Sequence, residues 1–176
     1  MAKFTLSNVR LSFPSLFQKA VFEGKETKYE ATFLIHKDDQ SDLITKVEKA
    51  IDSLLAEKFA GKSIPKSVKR TCLKDGDLTD TDGYSNHMAF KGSNTKRPTV
   101  INRDKSPITE DDDILYAGCY VNVICDLWYS DHPLGGKQVL GNVLGVQFVK
   151  NGEAFGADTA ASVDEFDSLE DDTDDF

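Results

Sequence analysis

Residues 114–130 read I-L-Y-A-G-C-Y-V-N-V-I-C-D-L-W-Y-S, and this stretch decides the fold. Its odd positions, Leu115, Ala117, Cys119, Val121, Val123, Cys125 and Leu127, are all apolar. Its even positions, Tyr116, Gly118, Tyr120, Asn122, Ile124, Asp126 and Trp128, are mixed. A period of two sustained this long is a β-strand with one face in a core. Tyr120 and Trp128 then stand on the outer face. D-H-P-L-G-G at 131–136 is a turn, and Q-V-L-G-N-V-L-G-V-Q-F-V-K at 138–150 returns as the partner strand. Gly141 and Gly145 interrupt that partner and mark bulges or sharp bends, as in a small curled barrel.

Working outward, residues 27–36 alternate in the same way, with Tyr29, Ala31, Phe33 and Ile35 on one side and a Gly24-centred turn before them. Phe4 and Leu6, then Val9, Leu11 and Phe13, form a first strand ended by Pro14. Leu43, Ile44, Val47, Ile51, Leu54, Leu55 and Phe59 recur at helical spacing. Asp38, Asp39 and Ser41 offer N-caps and Gly61 a stop, which predicts an amphipathic helix of about five turns. Residues 62–107 are polar, with apolar islands at 87–90 and 99–101, and read as short strands joined by long loops. The fold class is mainly β with one long helix: an OB-fold-like small β-barrel over residues 1–157. The helix comes after the second strand, earlier than in the usual OB order. A ferredoxin-like α+β sheet is the alternative, disfavoured by the single helix.

The charge is unevenly placed. The chain carries 30 acids and 21 bases, a net charge of −9. Residues 158–176 hold nine of the acids and no base, which leaves the 157-residue body neutral. A segment so acidic and so poor in aliphatic residues cannot bury a core, and disorder is expected there. It closes on D-D-T-D-D-F, and Asp171, Asp172, Asp174, Asp175 and Phe176 form a candidate partner-binding tail. Solubilisation alone is the plainer role for such a tail.

No apolar run approaches the ~20 residues of a membrane span. The first residues lack an apolar signal core, and the three cysteines form no C-x-x-C, so a reducing cytoplasm is expected. Residues 75–83 resemble a calcium loop but miss its glycine and closing glutamate, so they read as a polar turn. Glu110-Asp-Asp-Asp113 reads as a solvated acidic loop, with a divalent-metal site as the rival. His36, His87 and His132 have no partners at zinc spacing. Gly135-Gly-Lys137 is not a phosphate loop, and no nucleophile signature is present. No cofactor, no metal and no enzymatic activity are expected.

One stretch does carry chemistry. Residues 58–105 hold 11 bases against 5 acids, a net +6 on a neutral body. Lys66, Lys69 and Arg70 come first, then Lys91, Lys96, Arg97, Arg103 and Lys105. Tyr84 and Phe90 lie between the two groups, and Tyr120 and Trp128 stand on the long strand. Cations neutralise phosphates and gain by counterion release. Flat rings stack on unpaired bases at roughly 1–3 kcal/mol each without reading sequence. The alternative is that each aromatic is core and each lysine ordinary surface.

Five segments together resemble a bacteriophage protein family: N-V-R-L-S-F-P-S-L-F (8–17), K-Y-E-A-T-F-L-I-H-K (28–37), R-P-T-V-I-N-R-D (97–104), Y-A-G-C-Y-V-N-V (116–123) and G-V-Q-F-V-K-N-G-E-A-F-G (145–156). The resemblance implies single-stranded-DNA binding, an OB-fold, and a part in phage replication or recombination inside the infected host. It carries no catalytic residues. The tail is similar in logic to those of bacterial SSB proteins, which also end in Phe after a run of Asp, but it lacks their penultimate Pro. The expected partners are single-stranded DNA and, through the tail, phage or host replication and recombination proteins, with no membrane. Duplex binding and homo-oligomerisation stay open. The rivals are a metal-dependent DNA-processing enzyme built on residues 110–113, and a phage adaptor or structural protein that ignores DNA.

Overall fold

The computed structural model describes residues 3–155 and 166–169. In chain order it contains β1 (Phe4–Ser15), β2 (Val21–Phe22), β3 (Lys25–Glu26), β4 (Tyr29–His36), α1 (Ser41–Lys58), β5 (Leu73–Asp75), β6 (His87–Asn94), β7 (Thr99–Ile101), β8 (Tyr120–His132) and β9 (Gly136–Lys150). β1 lies antiparallel between β4 and β8, β4 pairs with β6, and β8 pairs with β9. A parallel contact between β6 and β9, Gly92 against Gly141 and Ser93 against Asn142, closes the ring. Five strands thus form a barrel in the order β1-β4-β6-β9-β8, with β5 added to β6 and β7 to β9. This is the closed Greek-key barrel of an OB-fold. The closure excludes the open ferredoxin-like sheet. α1 connects the second and third barrel strands, as its early place in the sequence required.

The closure depends on small residues. A Cβ at Gly141 would sit 2.7 Å from the Phe90 ring and 2.8 Å from the Lys91 carbonyl oxygen. Glycine lets the two backbones meet there. The bend at Gly145 also has a structural basis. Ile124 faces Gly145 while Cys125 faces Val143, so Leu144 is an extra residue bulged out of β9.

The inward faces follow the sequence pattern. Val121, Val123, Cys125 and Leu127 of β8 meet Leu6, Val9 and Leu11 of β1 and Phe33 and Ile35 of β4, all buried. Fully burying each large side chain contributes about 1.5–3 kcal/mol. Val47, Ile51 and Leu55, four residues apart, are the buried stripe of α1, and Phe59 beyond it meets Tyr129 edge-on at 5.8 Å. Asp38 and Asp39 do not cap this helix, contrary to expectation. Gln40 holds the N-cap position with no side-chain cap bond. Its side chain instead donates to the Ser7 and Asn8 carbonyls and accepts from the His36 backbone.

Two departures matter for the site. β1 runs through Pro14 to Ser15, and its register shifts between Ser12 and Ser15. Phe13 sits in that irregularity at φ +46° and is 66 % exposed. The sequence pattern groups it with the apolar residues of the first strand and ends that strand at Pro14. Outside the barrel, Leu34, Tyr84 and Ala89 form a second small cluster with Phe155. The Arg10 guanidinium lies 4.2 Å from the Phe155 ring centre and donates to the carbonyls of Gly118 and Glu153. The expected disorder from residue 158 onward and the tail residues Asp171, Asp172, Asp174, Asp175 and Phe176 lie outside the described residues. Only 166–169 are described there, with Phe166 and Leu169 exposed.

Candidate nucleic-acid interface

A groove crosses the outer face of β4 and β6. Its first half, about 530 Å³, is bounded by Thr32, Thr71, Lys74, Leu78, Tyr84 and Lys91. Thr71 and Lys91 continue into a second hollow of about 230 Å³ that ends at Thr27, Lys28, Ser93 and Leu140. The outward residues of β4 and β6 supply the floor because their alternate neighbours fill the barrel. The segment 69–72 supplies one wall. It is tied to β9 by Lys69 N–H to the Lys137 carbonyl at 2.9 Å and Val139 N–H to the Lys69 carbonyl at 2.8 Å. Thr71 Oγ1 donates to Gln138 Oε1 at 2.7 Å.

The other wall is a short turn, Gly76–Leu78, pinned by charge. Lys37 Nζ lies 2.5 Å from Asp75 Oδ1 and 2.6 Å from Asp77 Oδ2. The hydrogen bond from Lys37 holds the Asp75 carboxyl below its ordinary range. Asp77 is held low first by the Asn86 backbone N–H and then by Lys37. The same bonds raise Lys37. The turn presents Leu78, 85 % exposed, at the groove edge. Lys37 is committed to this wall, so Lys28, Lys74 and Lys91 are the cations that face the groove. Lys91 is paired with Glu30 at 3.1 Å. Lys28 Nζ stands 5.7 Å from the Trp128 ring centre.

The structure sorts the residues singled out from sequence. Lys91 lines the groove, Lys69 and Arg70 flank it through Thr71, and Trp128 stands at its end beside Lys28. Arg70 is also paired with Asp52 at 2.7 Å. Lys66 lies upstream on the same loop, exposed. Lys96 and Arg97 follow β6 at the Lys28 end, where Arg97 lies 5.9 Å from the Tyr29 ring and donates to the Phe17 carbonyl at 2.8 Å. Phe90 is a correction: it is fully buried inside the barrel, edge-on to Phe4 at 6.1 Å, and no base can reach its ring. Tyr84 is a second correction. It is 7 % exposed, its hydroxyl shares a 2.9 Å bond with Ser12 Oγ, and it serves as wall rather than stacking platform. Tyr120 sits away from the groove, between Arg10 and Lys150 at 5.8 and 4.9 Å. Arg103 and Lys105 lie beyond β7, where Arg103 donates to the Val149 carbonyl at 2.9 Å.

Sequence reasoning missed Lys28, Lys74 and Phe13. Lys74 belongs to the basic stretch but falls on a three-residue strand. Phe13 was hidden by the β1 irregularity, which brings its ring within 6.4 Å of Tyr84 at the groove's first half. The acidic run at 110–113 makes local bonds instead: Asp112 accepts from Thr109 N–H and Glu110 from Gln18. Among the described residues, no group of three or more His, Cys, Asp or Glu is placed to hold a metal ion. Among the described residues, no helix is long and apolar enough to cross a membrane.

A closed five-stranded OB barrel with a lysine-lined groove across its second and third strands is the architecture of an oligonucleotide-binding protein. Residues 2–176 match the family model described as Enterobacter phage Enc34, ssDNA-binding protein, and the chain belongs to that family. Protein p50 of Acyrthosiphon pisum secondary endosymbiont phage 1 is 41 % identical over 175 residues, covering 95 % of this chain and 94 % of p50. The single-stranded DNA-binding protein of bacteriophage Enc34, solved in complex with ssDNA, superposes with a TM-score of 0.75 at 27 % identity, over 88 % of this chain and 89 % of that one. Gp2.5, the single-stranded DNA-binding protein of bacteriophage T7, shares the fold at a TM-score of 0.58 and 12 % identity, over 92 % of this chain and 99 % of its own. The family is one of phage DNA-binding proteins, not of enzymes.

Proposed function

We propose that this protein binds single-stranded DNA without sequence preference along the β4–β6 groove, coating DNA exposed during phage replication or recombination in the host cytoplasm. One observation carries the reading: the open groove itself, which sets Lys28, Lys74 and Lys91 between the exposed ring of Phe13 and the half-buried ring of Trp128. Lysines neutralise phosphates, rings take bases, and threonine hydroxyls serve either. Among the described residues, the lining of the two hollows holds no Arg, Asn or Gln, the side chains best suited to reading bases by paired hydrogen bonds. Membership of a family of phage ssDNA-binding proteins supports the same reading.

The acidic tail completes the proposal. Phe155, its last described neighbour on the body, packs against the Leu34, Tyr84 and Ala89 cluster, of which Tyr84 is groove wall. The tail, tethered to a body whose last described residue lies by the groove wall, competes with DNA as a polyanion, at a local concentration of about millimolar. DNA displaces it and frees Asp171, Asp172, Asp174, Asp175 and Phe176 to recruit replication or recombination proteins.

The test is a titration of fluorescent oligo-dT at several salt concentrations, with Trp128 emission followed in parallel. Binding that weakens steeply with salt and quenches Trp128 is expected. No binding at low salt would leave an adaptor role standing. Magnesium-dependent cleavage of the oligonucleotide would return the enzyme reading.

A further inference from the structure

The groove floor is a ladder of outward side chains on two strands. Glu30 faces Ser93, Thr32 faces Lys91, Leu34 faces Ala89 and His36 faces His87 across β4 and β6. The first two rungs line the open groove, which stops against Ala89 and Tyr84. The third rung is covered. Leu34 is 1 % exposed, and what lies over it is Tyr84 together with Phe155. Phe155 belongs to no barrel strand. It comes from residues 151–155, beyond the end of β9.

That segment is a built strap. The Tyr116 hydroxyl donates to the Gly152 carbonyl at 2.8 Å and accepts from the Gly152 N–H at 2.9 Å. The Arg10 guanidinium donates to the Gly118 and Glu153 carbonyls. The Phe155 N–H donates to the Ala117 carbonyl at 3.1 Å. Gly118 and Gly152 let the backbones meet, since a Cβ on either would collide with the facing chain. The strap delivers the Phe155 ring into a slot. Arg10 lies 4.2 Å from its centre, Leu34, Tyr84 and Ala89 pack against it, and a Cβ on Gly83 would run into it. The groove wall is built on the same loop. Thr81 and Tyr84 line the groove, and Gly76, which opens the wall turn, packs directly on the Tyr84 and His87 carbonyls.

We propose that Phe155 is a positioning residue of the DNA groove. Seated over the third rung, its ring ends the open floor and holds Gly83 and Tyr84 against the body. Tyr84 and the Gly76–Leu78 turn then stand as the wall. The proposal rests on the ssDNA reading above. Phe155 carries no charge and lines neither hollow, so it acts through Tyr84 and not on the DNA. Without the ring, the apolar slot over Leu34 and Ala89 opens to water, and Tyr84 loses the cover that keeps it buried. The loop is then left with polar bonds alone. Among them are Tyr84 N–H to the Thr81 carbonyl at 3.2 Å, His87 N–H to the Tyr84 carbonyl at 3.1 Å and the Tyr84 tether to Ser12. The strap thereby divides the end of the chain by role: residue 155 supports binding, and the acidic residues beyond it oppose binding as a competitor.

The test compares full-length Phe155→Ala and Phe155→Leu with the wild type by oligo-dT titration and by amide hydrogen exchange. Phe155→Ala should bind roughly tenfold more weakly, the weight of about one base contact, with an unchanged salt slope because no charge is lost. Phe155→Leu, which refills the slot, should recover most of the affinity. A titration under tight-binding conditions counts the active fraction, which should stay that of the wild type. A lower active fraction with a wild-type Kd would make Phe155 a stability residue only and would overturn the proposal. Unchanged affinity would overturn it too, and so would tighter binding, which would make the ring a plug on the floor. Exchange reads the wall without DNA. The Tyr84 and His87 N–H groups should exchange faster in Phe155→Ala, while those of β8 keep wild-type rates. Unchanged exchange at Tyr84 and His87 would sink the proposal. If the wild type binds no oligo-dT, the ssDNA reading has failed, and the exchange still decides whether Phe155 holds the wall.

Discussion

Replacing Lys28, Lys74 and Lys91 together by alanine isolates the groove's electrostatic part. Each phosphate neutralised on a single strand contributes about 0.7 to the slope of log K against log salt. Among the described residues, neither Lys28 nor Lys74 is paired with a carboxylate, so each is free to take a phosphate. Together they account for about 1.4 of the slope. Lys91 already holds Glu30 at 3.1 Å, and a phosphate must displace that carboxylate first. If it does, the loss reaches about 2. Stability should hardly change, because an exposed pair such as Lys91–Glu30 contributes roughly 0–1 kcal/mol. The assay is the oligo-dT titration at four or five salt concentrations, beside thermal melts of each variant. Arg103→Ala with Lys105→Ala is the control, and its slope should equal that of the wild type. A triple variant that keeps the full slope while the control loses it would move the DNA to the β7–β9 side and refute the groove.

Phe90→Ala should cost about 3–5 kcal/mol of stability by urea denaturation, the price of a cavity in the barrel, whereas Trp128→Ala should lower DNA affinity by roughly 1–3 kcal/mol and leave stability nearly intact. Acid should weaken the Gly76–Leu78 wall: Asp75 and Asp77 are held below 3.8, so the stability from Lys37 is whole above that value and drains as pH falls through the depressed folded values. Thermal melts of Lys37→Ala should therefore fall below wild type at neutral pH and converge with it at about pH 2. Burial pushes the Cys72 thiol up to about 12 and raises Cys119 and Cys125 as well, so a thiol reagent at pH 8 should label the protein only as fast as it unfolds. Truncation after Ala157 should raise DNA affinity at low salt, where screening is weakest, and the gain should fade as salt rises; an unchanged affinity would reduce the tail to a solubiliser or a constantly exposed hook.

The barrel was legible because its inward faces are written as alternation. Residues 121–127 and 29–35 needed only a period of two, and α1 only its four-residue spacing. The strand expected from residue 114 begins only at Tyr120, because residues 114–119 form a loop and turn. What the period cannot report is a place where it breaks. One irregularity between Ser12 and Ser15 turns Phe13 from an inward position to the surface, and one bulge at Leu144 opens a hollow behind β9. A strand pattern also treats every outward residue alike. Nothing local separates Lys74, which lines the groove, from Lys105, which does not.

That distinction comes from closure. β6 and β9 are joined through Gly92 and Gly141, far apart in sequence, and only this contact fixes which outward faces lie side by side. It also explains why Phe90, set among lysines in the sequence, is withdrawn from them in space. Its ring fills the position that a side chain at Gly141 would occupy, 2.7 Å from that missing Cβ. Phe90 therefore seals the barrel from inside at the place where Lys91, the next residue along, faces the groove from outside. A basic stretch with interleaved aromatics, read as one surface, is here the two sides of one strand. The aromatic that closes the ring and the cation that faces the groove are neighbours because a strand alternates. In the proposed reading base stacking then falls to Phe13 and Trp128, rings brought to the groove's two ends by strands other than β6.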